Sequence, residues 1–532
     1  MHRSCMPGFL VVAIASTLPA WGGDWPQWRG VNRNGVAPQE PPLAEAWTNT
    51  GPKKVWESEP IPSREQGGFA GAAVVGDRVY VYVNWRYNVP VPAMLLSDGV
   101  VRNLGWIPEC LPGDLAKTME EARLSDERAK LKPEEVRPWV DAWIKDHLTD
   151  DPKKKFAAFV HGRLSKGKEA IALDVLDKLA MLRDKELPNL EEADKWFAAA
   201  RIDGDLKKSL LEKMATTKPF SRDVILCLDN ATGKTVWKVE YPGRVFGWAS
   251  SSSPCVAGGR VYVAGGSDAY CFDAKTGQEL WRTWLPGNEI SSSFAIVDGT
   301  AIVLSGVLCG LDPATGRHLW SQDKIRGNNS SPVPWVKDGK NCVLVNAGAE
   351  TFCAEAKTGE VLWKVAGGGN STPVVQDDFM AVFSDRNENG LAGYRLSLAG
   401  AEKAWTVKMA DRGASPLIFD KHVYASGGGK LLCVKIDDGQ TKWERPSQGE
   451  IRSPILADGK IIALTGAGVQ LIQATPEKYT ELAKANLPYA ESTSPSFANG
   501  RLYFRNNNGL ACYDLTAAAN PPPPPPAAPV AK

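Results

Sequence analysis

Apolar and polar positions alternate in short runs along most of this chain, and turn residues separate the runs. At 269–281 the phrase AYCFDAKTGQELW places an alternating strand on each side of a five-residue turn, the pattern of a β-hairpin. The phrase recurs as LDNATGKTVW (228–237), FDAKTGQELW (272–281), LDPATGRHLW (311–320) and AEAKTGEVLW (354–363), with degenerate copies ending at Trp405 and Trp443. Asp at the turn start accepts backbone N–H bonds, and Gly near its end supplies positive φ. Successive tryptophans are 44, 39, 43, 42 and 38 positions apart.

A second phrase precedes each turn. It runs from SSSSPCVAGGRVYVAG (250–265) to TSPSFANGRLYFRN (493–506): a small polar entry, a strand, a tight turn and a second alternating strand. A period near forty with several short strands per repeat predicts a β-propeller. The fold class expected is all-β: an eight-bladed propeller of four-stranded blades, closed by an N-terminal strand, with an α-helical insertion in the first blade. The closing strand is expected from EAWTNTGPKKVW (45–56), because the last repeat ends without an outer strand. Seven blades is the competing count. Trp237, Trp281, Trp320, Trp363, Trp405 and Trp443 are expected to dock each blade on its neighbour, each indole burying on the order of 150–250 Å². Small Ser, Thr and Gly residues suit the crowded axis and carry no catalytic expectation.

The Asp-x-x-Thr-Gly-x-x-x-Trp copies resemble the tryptophan-docking motif of the pyrroloquinoline-quinone (PQQ) family of eight-bladed propellers, over roughly 45–84 and 223–515. That family divides into quinoprotein dehydrogenases and non-enzymatic relatives, among them the outer-membrane-protein assembly factor B type, a periplasmic scaffold. The phrase DWPQWRGVNRNGV (24–36) is similar to the mature N-terminus of many secreted members of the superfamily.

Five domain segments are expected: a signal peptide at 1–22, an N-terminal segment and start of blade one at 23–87, a mainly α-helical insertion at 88–221, the remaining propeller at 222–515, and a Pro-rich tail at 516–532. Phe9–Leu18 is apolar and preceded by basic residues, which predicts secretion to the periplasm or the outside; it is too short for a membrane span. Cys5 precedes this run, so no lipid anchor is expected, a departure from the assembly-factor relatives. Helical spacing is read at 134–148, 154–164, 169–187 and 190–202. The insertion reads either as a cap on one face or as the determinant of a specific partner.

Net charge is +1 with basic residues dispersed, so no nucleic-acid partner is expected. Nine cysteines follow the signal region. Cys227, Cys271, Cys353 and Cys512 fall at equivalent places in different repeats, Cys309 and Cys433 approximately so. Equivalent places on neighbouring blades lie beyond bridging distance, so buried thiols are expected rather than disulfides.

The chemistry-bearing patterns of a quinoprotein dehydrogenase are missing from the sequence: no adjacent Cys pair, no Cys-x-x-Cys-His and no Asp-x-Asp-x-Asp loop. No catalytic, cofactor or metal residue is therefore assigned; PQQ and Ca²⁺ enter only if the chain is a divergent quinoprotein oxidoreductase, the alternative reading. One charged set remains before the inner strands: Arg244, Glu289, Arg326, Asp411, Arg412, Glu450, Arg452 and Glu491. It reads first as a solvated, self-neutralising rim, and second as a channel-mouth site for a small anion or a peptide. The function expected is a secreted, non-enzymatic, monomeric scaffold that binds protein partners through blade edges, loops or the insertion. A carbohydrate-binding propeller is a third reading, prompted by the 19 tryptophans.

Overall fold

The computed structural model describes residues 23–521, apart from 49, 110, 150, 246, 385–389, 412 and 448. The expected signal peptide, Arg412 and tail residues 522–532 lie outside the described residues. The chain divides into two compact units, Met1–Tyr87 with Ser221–Lys532, and Asn88–Phe220.

The first unit is a β-propeller. Eight sheets form among the described residues, most of them four-stranded and antiparallel. The second sheet shows the local logic: Cys255–Ala257, Arg260–Ala264, Asp268–Asp273 and Glu279–Trp284 pair in chain order. Its two middle strands are almost wholly buried, while the outer strand buries little beyond Trp281. Middle strands are covered on both faces by adjacent sheets, which explains their continuous apolar runs. Inner strands of successive sheets lie side by side, and Ala73–Val75 of the first touches both Cys255–Ala257 of the second and Ser496–Ala498 of the eighth, which closes the ring.

Two N-terminal strands complete other sheets. Lys53–Glu57 pairs antiparallel with Leu510–Asp514 as the outer strand of the eighth sheet, with Trp56 opposite Cys512. Val36–Ala37 pairs parallel with Ile455–Ala457, a fifth strand on the inner side of the seventh sheet that the repeat pattern does not predict.

All eight described cysteines after residue 110 are free and buried. Cys227, Cys271, Cys353 and Cys433 each sit directly opposite the docking tryptophan of their own sheet. Cys309 departs from this register: Gly310 faces Trp320, and Cys309 faces Ser321.

The second unit holds nine α-helices among its described residues, and two separate apolar clusters. One gathers Leu96, Val101, Leu179, Leu182, Phe197 and Leu210; the other Met119, Val140, Phe156, Val160 and Leu164. The helical spacing read at 169–187 yields a helix only at Leu173–Leu182, because Asp184 takes φ +58° and Glu186–Leu187 turns into a strand paired with Met94–Leu95.

Candidate functional site

Each repeat turn is built from its Asp. The Asp273 carboxylate accepts from the Lys275 and Thr276 N–H groups (3.1 and 2.8 Å) and the Thr276 hydroxyl (2.8 Å), and Asp229 does the same with Ala231 and Thr232. In the fourth copy Glu355 takes the role by accepting from the Thr358 hydroxyl at 2.7 Å. The turn is then read by the preceding sheet. A Cβ on Gly277, at φ +74°, would lie 2.6 Å from the Trp237 ring, and one on Gly316 equally close to Trp281. The indole N–H meets a carbonyl of the same neighbour: Trp237 to Ala274, Trp281 to Pro313, Trp363 to Ser397, Trp405 to Ile436 and Trp443 to Thr475, at 2.8–3.1 Å. Trp56 makes the same bond to Asn230 at 2.8 Å and so joins the eighth sheet to the first. Trp320 stacks over Gly359 without such a bond.

The small polar entries form a second set of staples. The Gly71 N–H donates to the Ser253 hydroxyl, Ser253 N–H to Ser293, Ser293 N–H to Ser331, and Ser331 N–H to Thr372, at 2.9–3.0 Å. These hydroxyls satisfy buried backbone donors in the entry segments just before the inner strands. The sequence displayed the repeat but gave no sign of this use.

The axis itself is crossed by residues 24–37. Trp25 exchanges backbone bonds with Val74, the Pro26 carbonyl accepts from Val256 N–H, and the Gly35 carbonyl accepts from Leu456 N–H. Arg33 donates to the Phe294 and Ser293 carbonyls (2.6 and 3.0 Å), Arg29 to Pro416 (2.6 Å), and the Trp28 indole to Ser494 (3.2 Å). One short segment thus reaches the inner strands of three sheets and the residues just before the inner strands of three more. Arg29 and Arg33 adopt φ +61° and +54°, strained for non-glycine residues, and both are fully buried. Burial without a carboxylate partner pulls the Arg29 guanidinium down to about 9 and Arg33 to about 10. Arg505, held by the Gly67 and Pro62 carbonyls and the Ser63 hydroxyl, falls to about 9 for the same reason. None of the three was singled out from sequence, because nothing local separates a buried arginine from a surface one.

The charged set does not converge on one point. Arg452 pairs with Asp411 (3.4 Å) and Glu450, and Asp411 also accepts from the Gly413 and Ala414 N–H groups (2.7 and 2.6 Å). These three line a cleft of about 530 Å³ with Ser426 and Gly427–Gly429. Glu289, at φ +56°, rests on Gly247 near Arg86. Arg326 is exposed and pairs with Asp323 at 3.6 Å, beside a different cleft lined by Lys324, Gly348 and Glu350. Arg244 is exposed, and Glu491 packs over Gly466. The residues belong to different sheets around the ring, so equivalence in the repeat separates them in space. Among the described residues no three His, Cys, Asp or Glu side chains group as metal ligands.

Residues 221–333 and 305–520, together more than half the chain, match the family described as outer membrane protein assembly factor BamB. The chain belongs to that family. This BamB-family chain is 28% identical to BamB of Burkholderia pseudomallei over 258 residues, covering 44% of this chain and 65% of that one. It is also 28% identical to the tetrathionate hydrolase of Acidithiobacillus ferrooxidans over 179 residues, 27% of this chain and 34% of the hydrolase. The chain thus spans less than two thirds of either relative. Among solved structures it is similar to BamB of Moraxella catarrhalis, with TM-score 0.46 and 18% identity over 54% of this chain and 87% of that one. No described helix is long and apolar enough to cross a membrane.

Proposed function

We propose that this chain is a secreted, non-enzymatic, eight-bladed propeller that acts as a protein-interaction scaffold in the cell envelope, as a partner of outer-membrane protein assembly. The observation that carries this reading is what the axis is used for. Ser253, Ser293, Ser331 and Thr372 are engaged in stapling neighbouring sheets, and Arg29 and Arg33 span the ring. The polar groups of the axis hold the fold together, and the outer strands and mouth loops are what remains to meet a partner. Thr235–Pro242, half-exposed along its whole length at a sheet edge, has the form that accepts an added strand. The Asp411–Arg452 cleft, with glycine backbone on one side and charge on the other, suits an extended peptide.

The test is affinity capture from a detergent-extracted envelope of the source cell, using the full chain and a form lacking 88–220. Recovery of an outer-membrane assembly component supports the reading; recovery of none overturns it. Loss of capture with the shorter form would assign recognition to the second unit.

The match to a tetrathionate hydrolase favours a second reading, an enzyme with a divergent site. Calorimetric titration with PQQ and Ca²⁺, run beside dye-linked alcohol oxidation and tetrathionate turnover, distinguishes it. Turnover in either assay displaces the scaffold reading.

A further inference from the structure

The helical unit, Asn88–Phe220, contains a cleft of about 390 Å³. That is within the size range of small-molecule sites. Its lining comes from three places: Leu104 and Gly105 just beyond the helix Asp98–Asn103, one face of the helix Ala157–Lys166, and Ala170 and Ile171 after it.

Ala158, Gly162 and Lys166 recur every fourth position of that helix and so share a face, with Phe159 and Arg163 in the adjoining row. All five line the cleft. Gly162 lies in the helix interior, where glycine is costlier than alanine. A Cβ built on it meets nothing within 4 Å, so packing does not demand the glycine. Its effect is to leave the cleft open.

The charge behind the cleft is unbalanced. Arg123 and Arg163, with side chains 3% and 5% exposed, share the single carboxylate of Glu120, at 2.5 and 2.7 Å. A buried ion pair is costly unless its charges are matched, and here two guanidiniums face one carboxylate. Arg123 also donates to the Gly167 carbonyl at 3.1 Å. Arg163 uses Nε and Nη2 on Glu120 and Nη2 again on the Ile171 carbonyl at 2.7 Å. Its Nη1 has no hydrogen-bond partner among the described residues, although the side chain is almost wholly buried and lines the cleft. Lys166 adds a second cation, exposed and outside any ion pair among the described residues, and Glu169 one anion. Together Arg123, Arg163 and Lys166 against Glu120 and Glu169 leave one positive charge.

We infer that this cleft binds an amphiphilic monoanion, an alkyl chain ending in a carboxylate. Leu104, Phe159, Ile171 and the small faces of Ala158 and Gly162 take the chain, and the free edge of Arg163 takes the head as a charge-assisted hydrogen bond. One excess charge matches one carboxylate, and Glu169 disfavours a dianion. This inference is independent of the scaffold reading, because every residue it uses belongs to the helical unit.

The test is calorimetric titration of the full chain with sodium decanoate below its micelle concentration, beside sodium acetate and decyltrimethylammonium. The expected result is saturable binding of decanoate, with neither control bound. Arg163→Gln should weaken it by about tenfold or more, as loss of a hydrogen bond to a charged group does. Lys166→Gln, at an exposed position, should weaken it about threefold. Arg163 also holds Glu120, so Gly162→Leu supplies the variant that keeps the fold: it fills the cleft from a position with room, melts no lower than the parent and abolishes binding. Absence of decanoate binding at millimolar concentration overturns the inference. So does binding that Gly162→Leu retains, which places the ligand elsewhere, or equal binding of decyltrimethylammonium, which removes the role of charge.

Discussion

Gly277 meets two demands that no other residue satisfies together: a left-handed backbone at φ +74° and a surface flat enough for Trp237 to lie on. Gly277→Ala should cost about 1–2 kcal/mol for the backbone and about 1–3 kcal/mol for overpacking against the indole. Trp281→Ala removes the complementary partner and one of the three donors to the Pro313 carbonyl, which keeps Arg260 and the Tyr262 hydroxyl, for a loss of about 3–5 kcal/mol. Urea unfolding of each variant measures both. The repeat made these positions legible from sequence, because a motif with Asp, Gly and Trp at fixed offsets has few physical explanations. That Trp248 and Trp284 lie exposed was invisible by the same route: in a chain with 19 tryptophans, composition does not say which lie in water.

At the scale of elements, the segment 24–37 acts as a clasp. Its carbonyls at Pro26 and Gly35 and its exchange with Val74 cap inner-strand amides that would otherwise face the axis. Deleting 23–36 should therefore abolish hydrogen-exchange protection at Val74, Val256 and Leu456. Val263, paired inside the second sheet, should keep its protection. Unchanged exchange at the first three would show that the clasp contributes nothing. The second unit makes the opposite prediction. Both of its apolar clusters draw only on residues between 94 and 214. Replacing 88–220 by a short Gly-Ser linker should leave the near-ultraviolet circular dichroism of the propeller tryptophans intact.

For the whole molecule, the buried thiols set the alkaline limit. Burial pushes Cys255 and Cys309 up to about 11, and Cys227, Cys271, Cys433 and Cys512 to about 12, from an ordinary value of 9. Below pH 9 both the folded and unfolded chains keep these protons, so the thiols' contribution is fully present. Above pH 9 the unfolded chain releases protons that the folded chain retains, and stability falls until the folded thiols titrate near 11–12. Arg29, Arg33 and Arg505 work the other way: lowered in the fold, they favour folding as pH rises above about 9–10. Burial raises Cys342 and Cys353 as well, so eight thiols against three guanidiniums make the net slope negative. Urea midpoints should hold steady to pH 9 and decline beyond it, and replacing Cys227, Cys271, Cys433 and Cys512 by Ala should flatten the decline.

The sequence by itself determined the repeat, the turn chemistry and the docking role of each conserved-offset tryptophan, because those depend on residues within a few positions of one another and on a period that the chain displays openly. It also placed the thiols at equivalent positions of different repeats, Cys309 only approximately, and the structure shows Gly310 taking its place opposite Trp320. Only the tertiary structure decided what the axis does. Arg33 meets Ser293 and Phe294 some 260 residues away, and Arg29 meets Pro416 some 387 away. No local pattern encodes such a meeting, since it exists only once the ring has closed around the segment. The charged mouth residues illustrate the same limit. Repeat equivalence grouped them, but equivalent places on a ring are spread around its circumference, and among the described members Asp411, Glu450 and Arg452, on two adjacent sheets, are the ones that pair.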